Sequence, residues 1–463
     1  MLNYVWLVLV SLAVVIGAAT GRLAEVTAGA FSMAETAVLK IALPLVGVMA
    51  LWLGLMRLAE RSGLVQLLAR ALRPVLRWLF PDVPADHPAM GSMVMNMAAN
   101  MLGLSNAATP LGLRAMRDLE TLNPHPGTAT NAMCTFLAIN TSSIQLVPAT
   151  AIALLAAQGS KDPTAIVGTA LIATTFSTIA GVGAVKWLQT WKIFQVKPAD
   201  LAAGAASAPT AAAADAAPVE PLPEPGPLTT GGKAALWALV AFFAVVFVAI
   251  AFLPESYRML STQLHKAIFP ASVAFPAWSV ATDQPVWLRA IGTLSLLAVP
   301  LLLLFFPLYA ALRGVKVYEE FVEGAKDGFG VATRIVPFLV AILVAIGMFR
   351  GAGGIEAMKS VLSPLLVPLG FPPDLLPLAL VRPLSGSASL AVFSELVQTT
   401  GADSLVSRMA ATIYGSTETT FYVIAVYFGA VAIRRTRHAL AAGLFADFIG
   451  VVASVIICRL MFA

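Results

Sequence analysis

The chain has 463 residues, of which 59% are hydrophobic and only 11% are charged. Soluble proteins carry roughly 25% charged residues, so the composition excludes an ordinary soluble protein and predicts an all-α, multi-pass membrane protein. The formal net charge of +5 does not indicate nucleic-acid binding. The cations lie in short loops and at helix ends, where a positive-inside bias explains them.

The first predicted element is the apolar stretch 4–19. It has the length of a signal-peptide core, and Gly17-Ala-Ala19 resembles a cleavage site. The residues before it, Met1-Leu-Asn3, lack the basic flank that such a signal carries. A retained first transmembrane helix is therefore favoured over a signal peptide.

The next elements define a first membrane unit. An amphipathic stretch, 25–40, precedes an apolar helix at 41–56 that contains Pro44, and a basic amphipathic segment, 63–79, follows. Two polar interruptions then break the apolar pattern. Their polar residues are neutral: Asn96, Asn100, Asn106, Thr109, Asn140, Thr141, Ser142, Ser143 and Gln145.

Residues 196–232 differ from the rest of the chain because they are rich in alanine and proline. Such a composition cannot bury a core and is typical of a flexible or extended linker. The linker divides the chain into two predicted membrane domains, 1–195 and 233–463.

The second unit repeats the order of the first. An amphipathic stretch, 318–334, precedes an apolar helix, 335–349, with Pro337 inside it, and then comes the amphipathic segment 354–369. Two polar interruptions again follow, with the sequences Arg382-Pro-Leu-Ser-Gly-Ser387 and Gly415-Ser-Thr-Glu-Thr-Thr420. This shared order predicts an internal duplication.

Loop charges indicate how the two units are oriented. Segment 63–79 is rich in arginine, whereas its counterpart 354–369 has a single lysine. The loops before the closing helices show the opposite bias, with basic residues concentrated at 434–438 rather than at 159–162. The positive-inside rule therefore predicts inverted repeats with broken or re-entrant helices, and a cytoplasmic linker.

The polar interruptions are the predicted functional site. Lipid offers no hydrogen bonds, so broken backbone at membrane depth is tolerated only inside protein or beside a water-filled cavity. Paired breaks in two inverted halves are typical of a solute site at the membrane midplane. The predicted solute-binding residues are Asn100, Asn106, Asn140, Thr141, Ser142, Ser143, Arg382, Ser385, Ser387, Ser416, Thr417, Glu418 and Thr419.

Two of these residues carry charge, and each has two interpretations. Glu418 is either a proton carrier or an anchor for a cationic group, or else a carboxylate stabilised by a helix N-terminus. Arg382 either binds an anionic group or caps backbone carbonyls at the helix break. Asp447 and Glu395 are weaker candidates for carboxylates along a pathway. The neutral residues recognise a polar solute or, singly, bridge packed helices.

The remaining residues give no sign of catalysis or of a cofactor. Cys134 and Cys458 lie in apolar stretches, and the four histidines lack the spacing of metal ligands. The sequence contains neither a Walker loop nor a His-Glu-x-x-His motif. We therefore expect no enzyme activity, no cofactor and no bound metal.

Longer motifs resemble a known family. In the first half, Gly47–Met56, His87-Pro-Ala-Met-Gly91, 95–103 and 131–143 resemble spore maturation protein A. In the second half, Phe321-Val-Glu-Gly-Ala325, 382–387, 415–422 and 434–438 resemble spore maturation protein B. Those two proteins are usually separate chains, so the linker looks like a fusion joint. Both are similar to the nucleoside-recognition, or gate, domains, which implies inverted repeats around a central site.

Two functions follow as hypotheses. The first is a secondary transporter in the cytoplasmic (inner) membrane that moves a small polar solute, such as an amino acid-like molecule, a nucleoside or a carboxylate, by alternating access. The second is a non-transporting scaffold for envelope or spore maturation. The expected partners are membrane lipid and, for a transporter, the solute; a homo-oligomer is left open.

Overall fold

The computed structural model describes residues 2–103, 105–142, 144–195, 226–270, 273, 284–368 and 370–462. Within these residues the chain is helical, and the β pairing is confined to one isolated bridge between Thr128 and Arg435. The all-α prediction is confirmed. Most of the predicted linker, 196–225, lies outside the described residues.

The first half forms a series of helices that ends before the linker. They are α1 (Leu2–Thr20), α2 (Leu23–Glu35), a π-helical segment (Thr36–Ala42), α3 (Leu43–Arg61), α4 (Leu64–Leu79), α5 (Pro88–Met101), α6 (Ser105–Glu120), α7 (Asn131–Ser142), α8 (Ala149–Ala157) and α9 (Ile166–Leu188).

After the linker, three helices precede the second unit. They are α10 (Thr230–Phe252), α11 (Pro254–Ile268) and α12 (Val286–Leu312). The second unit then contains α13 (Val317–Gly351), α14 (Gly354–Leu366), α15 (Leu376–Val381), α16 (Gly386–Thr400), α17 (Leu405–Ser416), α18 (Thr420–Gly429) and α19 (Ala439–Phe462).

Each unit opens with one long helical run, whereas the sequence predicts an amphipathic stretch and an apolar helix in succession. The run 23–61 is continuous because a π-helical turn joins α2 to α3: the amide of Leu43 donates to the carbonyl of Val38. Pro44, which has no amide hydrogen, directly follows this π-helical turn, where the regular α-helical hydrogen-bond pattern is already interrupted. In the second unit α13 continues through Pro337.

The helices confirm two homologous halves, because the same five-part order occurs twice. A long run (α2–α3 or α13) is followed by an amphipathic helix (α4 or α14) and a pair of helices joined by a short turn (α5–α6 or α15–α16). A helix interrupted at its middle (α7–α8 or α17–α18) and a closing apolar helix (α9 or α19) complete each unit.

Counterpart helices pack antiparallel, so one half is inverted relative to the other. Along α3 and α13, Gly54 lies against Phe321, and Ala50 lies against Gly328 further along. The contacting residue numbers therefore fall on one helix as they rise on the other. The closing helices behave alike: α9 contacts Ala446 of α19 through Gly181, and Gly450 through Ser177.

Glycines allow these helices to pack closely where they cross. A Cβ built on Gly29 of α2 would lie 2.4 Å from the carbonyl oxygen of Gly347 on α13. The two backbones are thus in direct contact, as small residues permit in membrane helix pairs.

Six helical runs in the described residues are long and apolar enough to cross a membrane: Leu23–Arg61, Ile166–Leu188, Thr230–Phe252, Val286–Leu312, Val317–Gly351 and Ala439–Phe462. Large apolar side chains such as Phe31 and Trp237 are about three-quarters exposed, which suits contact with lipid. The broken helices lie inside this shell, where α7, α16 and α17 are buried along most of their length.

Candidate functional site

In the first half, two backbone interruptions lie side by side. The turn after α5 contains Gly103, whose φ of +76° is one that glycine adopts readily. The second interruption separates α7 from α8. The amide of Leu146 in this second break donates to the carbonyl of Met101 at 3.0 Å, which joins the two breaks. Ser143 and the side chain of Asn106 lie outside the described residues.

The second half has the corresponding pair of breaks. Ser385 caps the N-terminus of α16, because its hydroxyl accepts from the amide of Ala388 at 3.2 Å. The interruption between α17 and α18 spans residues 417–419, and Thr417 and Thr419 there have extended backbone. The amide of Phe421 donates to the carbonyl of Pro383, so these two breaks are also joined.

The breaks of the two halves meet inside the protein. The backbone amide of Glu418 donates to the carbonyl of Thr141 at the end of α7, at 2.7 Å. The side-chain amide of Gln145 donates to the Glu418 carboxylate at 2.9 Å. The interrupted helices of the two inverted halves therefore touch at their interruptions, and residues far apart in sequence form one polar junction.

Arg382 is buried at this junction, with only 3% of its surface exposed. Its guanidinium donates to the carbonyl of Tyr414 at 3.0 Å and to the carbonyl of Thr417, and to the hydroxyl of Thr419 at 3.3 Å. It also lies 4.6 Å from the centre of the Tyr414 ring. These contacts match the second interpretation of Arg382, in which it caps carbonyls freed by the helix break.

Glu418 differs from Arg382 because 39% of its side chain is exposed. One carboxylate oxygen accepts from Gln145, and the other lies 3.9 Å from a guanidinium nitrogen of Arg382. The carboxylate is therefore held from two sides while part of it still faces open space. Within the described junction it is the acidic group available to a solute.

The asparagines of the first half form a chain of hydrogen bonds. Asn100 donates to the side-chain oxygen of Asn140 at 2.9 Å, and Asn140 donates to the carbonyl of Phe136. Asn96, which is fully buried, donates to the carbonyl of Ala108 and contacts the hydroxyl of Tyr427 at 3.4 Å. Asn96 and Asn140 therefore join packed elements, whereas the half-buried Asn100 reaches the junction surface.

Most of the predicted hydroxyl residues bond to backbone. Thr141 and Ser142 donate to the carbonyl of Ala138 within α7. Ser416 is fully buried and lies 3.2 Å from the hydroxyl of Ser454 on α19. Their hydroxyls therefore serve helix packing, as expected of single polar residues in membrane helices.

The residues that remain partly exposed at the junction form a smaller set than the sequence predicts. They are Asn100, Gln145, Ser385, Ser387 and Glu418. Gln145 is absent from the predicted solute-binding residues, although it lies two residues after Ser143 in the same polar break. Its contact with Glu418 depends on how the halves cross, which a single sequence does not reveal.

The two weaker carboxylate candidates lie in different places. Glu395 on α16 is buried and paired with Arg350 at the end of α13. Asp447 on α19 is also buried, and it accepts from the hydroxyl of Thr420 at 2.6 Å. Asp447 therefore contacts the first residue of α18, two positions from Glu418.

One face of the protein carries clustered basic residues and is closed by a contact between the halves, here called the basic-face clamp (residues 127–131 and 434–438). The amide of Ala129 donates to the carbonyl of Arg435 at 3.0 Å, and the Arg437 guanidinium donates to the side-chain oxygen of Asn131 at 2.9 Å. A cavity of about 330 Å³ lies beside Arg437, Asn131 and Asp82.

His438 is fully buried in the basic-face clamp. Burial, assisted by the nearby cations Arg437 and Lys186, lowers the pKa of His438 to about 4. The imidazole is therefore neutral at physiological pH in the folded protein.

The opposite end of the molecule is closed by the counterpart loops, here called the opposite-face clamp (residues 158–162 and 401–404). Asp403 accepts from the hydroxyl of Ser160 at 2.6 Å and from the amide of Lys161 at 3.1 Å. Burial alone would raise the pKa of Asp403, but these hydrogen bonds together with Arg408 lower it below its usual value.

Inverted antiparallel halves, membrane-length apolar helices and a polar junction of broken helices define a multi-pass α-helical membrane protein with an internal site. The nucleoside-recognition gate model matches residues 42–159 and 332–434. Spore maturation protein B of Bacillus subtilis is 45% identical over 38% of this chain and 98% of that protein. Spore maturation protein A of the same organism is 45% identical over 40% of this chain and 92% of that protein.

The chain belongs to the family of spore maturation proteins A and B, and the gate model matches it in both halves. The predicted resemblance to both proteins is confirmed. The crystal structure of the YdaH transporter of Alcanivorax borkumensis, described as having an unusual topology, also aligns with 99% of this chain and 96% of its own, at 15% identity and a TM-score of 0.42. That similarity is weak.

Proposed function

We propose that the protein is a secondary transporter of a small polar solute that works by alternating access. The observation that carries the proposal is the contact between the two interrupted helices, through Gln145–Glu418 and the Thr141 carbonyl. Interrupted helices that cross near the midplane expose free backbone groups and helix-end dipoles to a central site. A protein without a solute gains little from two such costly interruptions.

The exposed groups at the junction favour a particular kind of solute. Glu418 offers a partly exposed carboxylate, and Asn100 and Gln145 offer amides that both donate and accept. Arg382 is already engaged by backbone carbonyls. We therefore propose that a cationic or amine group of the solute binds at Glu418, which favours an amino acid-like molecule over a nucleoside or a dicarboxylate.

The two clamps support alternating access. Each face is closed by a loop of one half that contacts a non-equivalent loop of the other half, so the two clamps are counterparts of each other, and hydrogen bonds join the loops in both. Opening either clamp while the other stays closed would connect the junction to one side at a time. We propose an inner-membrane location with the basic-face clamp on the cytoplasmic side, which the positive-inside rule favours.

Reconstituted protein tests the proposal. Proteoliposomes would be assayed for uptake and exchange of amino acids, nucleosides and dicarboxylates, with empty liposomes as the blank. Glu418→Gln should reduce flux of the active class at least tenfold, whereas Glu323→Gln, on an exposed carboxylate near the start of α13, should leave flux unchanged. Flux that is insensitive to Glu418→Gln would reject the site, and absence of flux for every class would reject transport of these solutes.

A second candidate is a non-transporting scaffold for envelope or spore maturation. It is favoured by the names of the two Bacillus relatives, which are spore maturation proteins. A scaffold needs no water-accessible site. Cysteine introduced at Ser387 or Asn100, in a variant lacking Cys134 and Cys458, would react with a membrane-impermeant thiol reagent in a transporter and would remain unlabelled in a closed scaffold.

We propose no enzyme activity for either candidate. The described residues contain no cluster of three or more side chains suited to a metal ion. The partners proposed for the transporter are membrane lipid and the solute.

A further inference from the structure

The closing helix α19 presents one narrow face to the break between α17 and α18. Gly443, Asp447 and Gly450 are spaced by four and three residues and so share a side of the helix. A Cβ built on Gly443 would lie 2.8 Å from the methyl carbon of Thr420, and one built on Gly450 would lie 2.5 Å from the methyl carbon of Thr417. The two glycines therefore bring the break into direct contact with α19 on either side of Asp447.

Asp447 is incompletely satisfied in this contact. It is 4% exposed, and one carboxylate oxygen accepts from the hydroxyl of Thr420 at 2.6 Å. Its other oxygen, Oδ1, is buried and has no hydrogen-bond partner among the described residues. A buried carboxylate with a vacant oxygen is costly unless a cation or a proton meets it.

Thr417, in the break that faces α19, also has a buried oxygen without a hydrogen-bond partner among the described residues. Its side chain is 2% exposed, and its hydroxyl oxygen is buried without a partner in the described part of the chain. The Thr417 backbone cannot turn freely, because its carbonyl accepts from Arg382. The residues that carry these two unpartnered oxygens, Asp447 and Thr417, therefore lie on the two sides of the contact between α19 and the break.

The groups around this interface are mostly neutral. The helices α9 and α7 present Ser177 and Thr141 to the same face of α19. The charged groups that act on Asp447 are Arg382 and Glu418, which already face each other at 3.9 Å. Among the described residues no salt bridge involves Asp447, so its negative charge is left for a small cation.

We propose that Asp447, with the hydroxyls of Thr417 and Thr420, forms a binding site for a monovalent cation, either a proton or a sodium ion. A proton would bind to Oδ1 and give a neutral carboxylic acid that donates to a hydroxyl oxygen. A sodium ion would instead take the carboxylate and hydroxyl oxygens as ligands. Oxygen groups at an unwound helix are the setting in which transporters hold such ions.

The position of this site suggests what the cation does. Thr417 and Thr420 flank Glu418 in the same break, so a cation that fixes these threonines against α19 also fixes the carboxylate proposed to bind the solute. Cation and solute would then favour each other's binding, and that coupling is reciprocal. The coupling rests on the proposed transport function, whereas cation binding itself does not.

Cation binding is tested without any transport. Thermal unfolding of the purified full-length protein in detergent would be followed in NaCl and in choline chloride at equal ionic strength, from pH 5.5 to 8.5. The variants are Asp447→Asn and Thr417→Val, with Asp374→Asn as a matched control in a surface ion pair with Lys359. Asparagine can still accept from Thr420, so Asp447→Asn should retain the fold.

If the bound cation is sodium, wild type and Asp374→Asn should have a higher melting temperature in NaCl than in choline chloride, and Asp447→Asn should show no such difference. For a proton, the wild-type melting temperature should change with pH in a manner absent from Asp447→Asn and independent of sodium. Thr417→Val should weaken the apparent affinity at least tenfold in the sodium case. A protein indifferent to both cations, or a dependence retained in Asp447→Asn, would overturn the site.

A flux measurement separates this proposal from the proposed function. Solute flux driven by a sodium or pH gradient in wild type, and lost in Asp447→Asn while counterflow exchange persists, would support coupling. If no solute is transported but the cation effect on unfolding still requires Asp447, the transport proposal is rejected and the cation site is supported. If solute moves and Asp447→Asn leaves its cation dependence intact, transport stands and the cation site falls.

Discussion

Replacement of Arg382 by alanine separates its two roles, carbonyl capping and solute binding. The side chain donates to the carbonyls of Tyr414 and Thr417, to the Thr419 hydroxyl, and packs over the Tyr414 ring. All of these groups belong to the last turn of α17 or to the break that follows it. Capping predicts a large loss of stability, whereas a solute-binding role alone predicts a loss of function in a protein of normal stability.

The expected magnitude follows from the contacts that disappear. Each buried carbonyl left without its donor costs about 1–3 kcal/mol, and loss of the guanidinium from the face of Tyr414 adds about 1–2 kcal/mol. Water that enters the cavity would recover part of this. We therefore expect Arg382→Ala to lower the free energy of unfolding by about 3–5 kcal/mol, the range found when one partner of a buried charged pair is removed.

The measurement is unfolding by sodium dodecyl sulfate titration in mixed micelles, with helicity and tryptophan fluorescence as independent probes. Arg434→Ala, at an exposed arginine, is the matched control and should change stability by less than about 0.5 kcal/mol. Arg382→Lys should be intermediate, because an ammonium lacks the planar fork that reaches two carbonyls. A loss below about 1 kcal/mol for Arg382→Ala would refute capping as its main role.

Three further predictions concern the crossing helices and the clamps. Gly347→Leu should lower the free energy of unfolding by at least about 1–3 kcal/mol in the same titration, because its Cβ would lie 2.6 Å from a carbonyl oxygen of α2. The control Gly183→Leu should be tolerated, because a Cβ at Gly183 would meet open space. The pKa of Asp403 is lowered in the folded protein, so its carboxylate should stabilise the fold above pH about 4, and this stabilisation should be lost as the pH falls below that value. Asp403→Asn should remove the same stabilisation at neutral pH, measured as faster hydrogen exchange of residues 401–404. His438 has a pKa of about 4 when folded and 6.5 ordinarily, so protons bind the unfolded chain first. Stability should therefore fall from pH about 6.5 to about 4, with a slope up to about 1.4 kcal/mol per pH unit, and His438→Gln should flatten that dependence.

The order and inversion of the repeats were accessible from sequence because they depend on patterns within the membrane. Polar residues, glycine and proline inside apolar segments are costly in lipid, so they mark the breaks, and loop arginines mark the orientation. The boundary between the amphipathic and apolar parts of the opening helices was not accessible. The π-helical turn at Thr36–Ala42 directly precedes Pro44, and one helical run continues through both where the sequence predicts two elements.

The hydrogen-bond partners of the polar residues could not be predicted from the sequence. Glu418 and Arg382 were identifiable as charges in apolar surroundings, but which carbonyls Arg382 contacts depends on where α17 ends. The pairing of Gln145 with Glu418 arises from a crossing of helices more than 250 positions apart. The contact of α19 with Thr417 and Thr420 arises at two glycines of α19. Such contacts are properties of the tertiary fold.

The meeting of the two breaks has a consequence for assembly. Thr141 and Gln145 come from the half before the linker, whereas Glu418 comes from the half after it, and the basic-face clamp is likewise shared. The backbone amide of Glu418 and the side chain of Gln145 therefore find their partners in the opposite half, so each half contributes to the folding of the other. The covalent connection fixes a one-to-one ratio of the two halves and raises their concentration relative to each other. Two separate polypeptides that used the same interface would have to find each other in the membrane before either could bury its polar break.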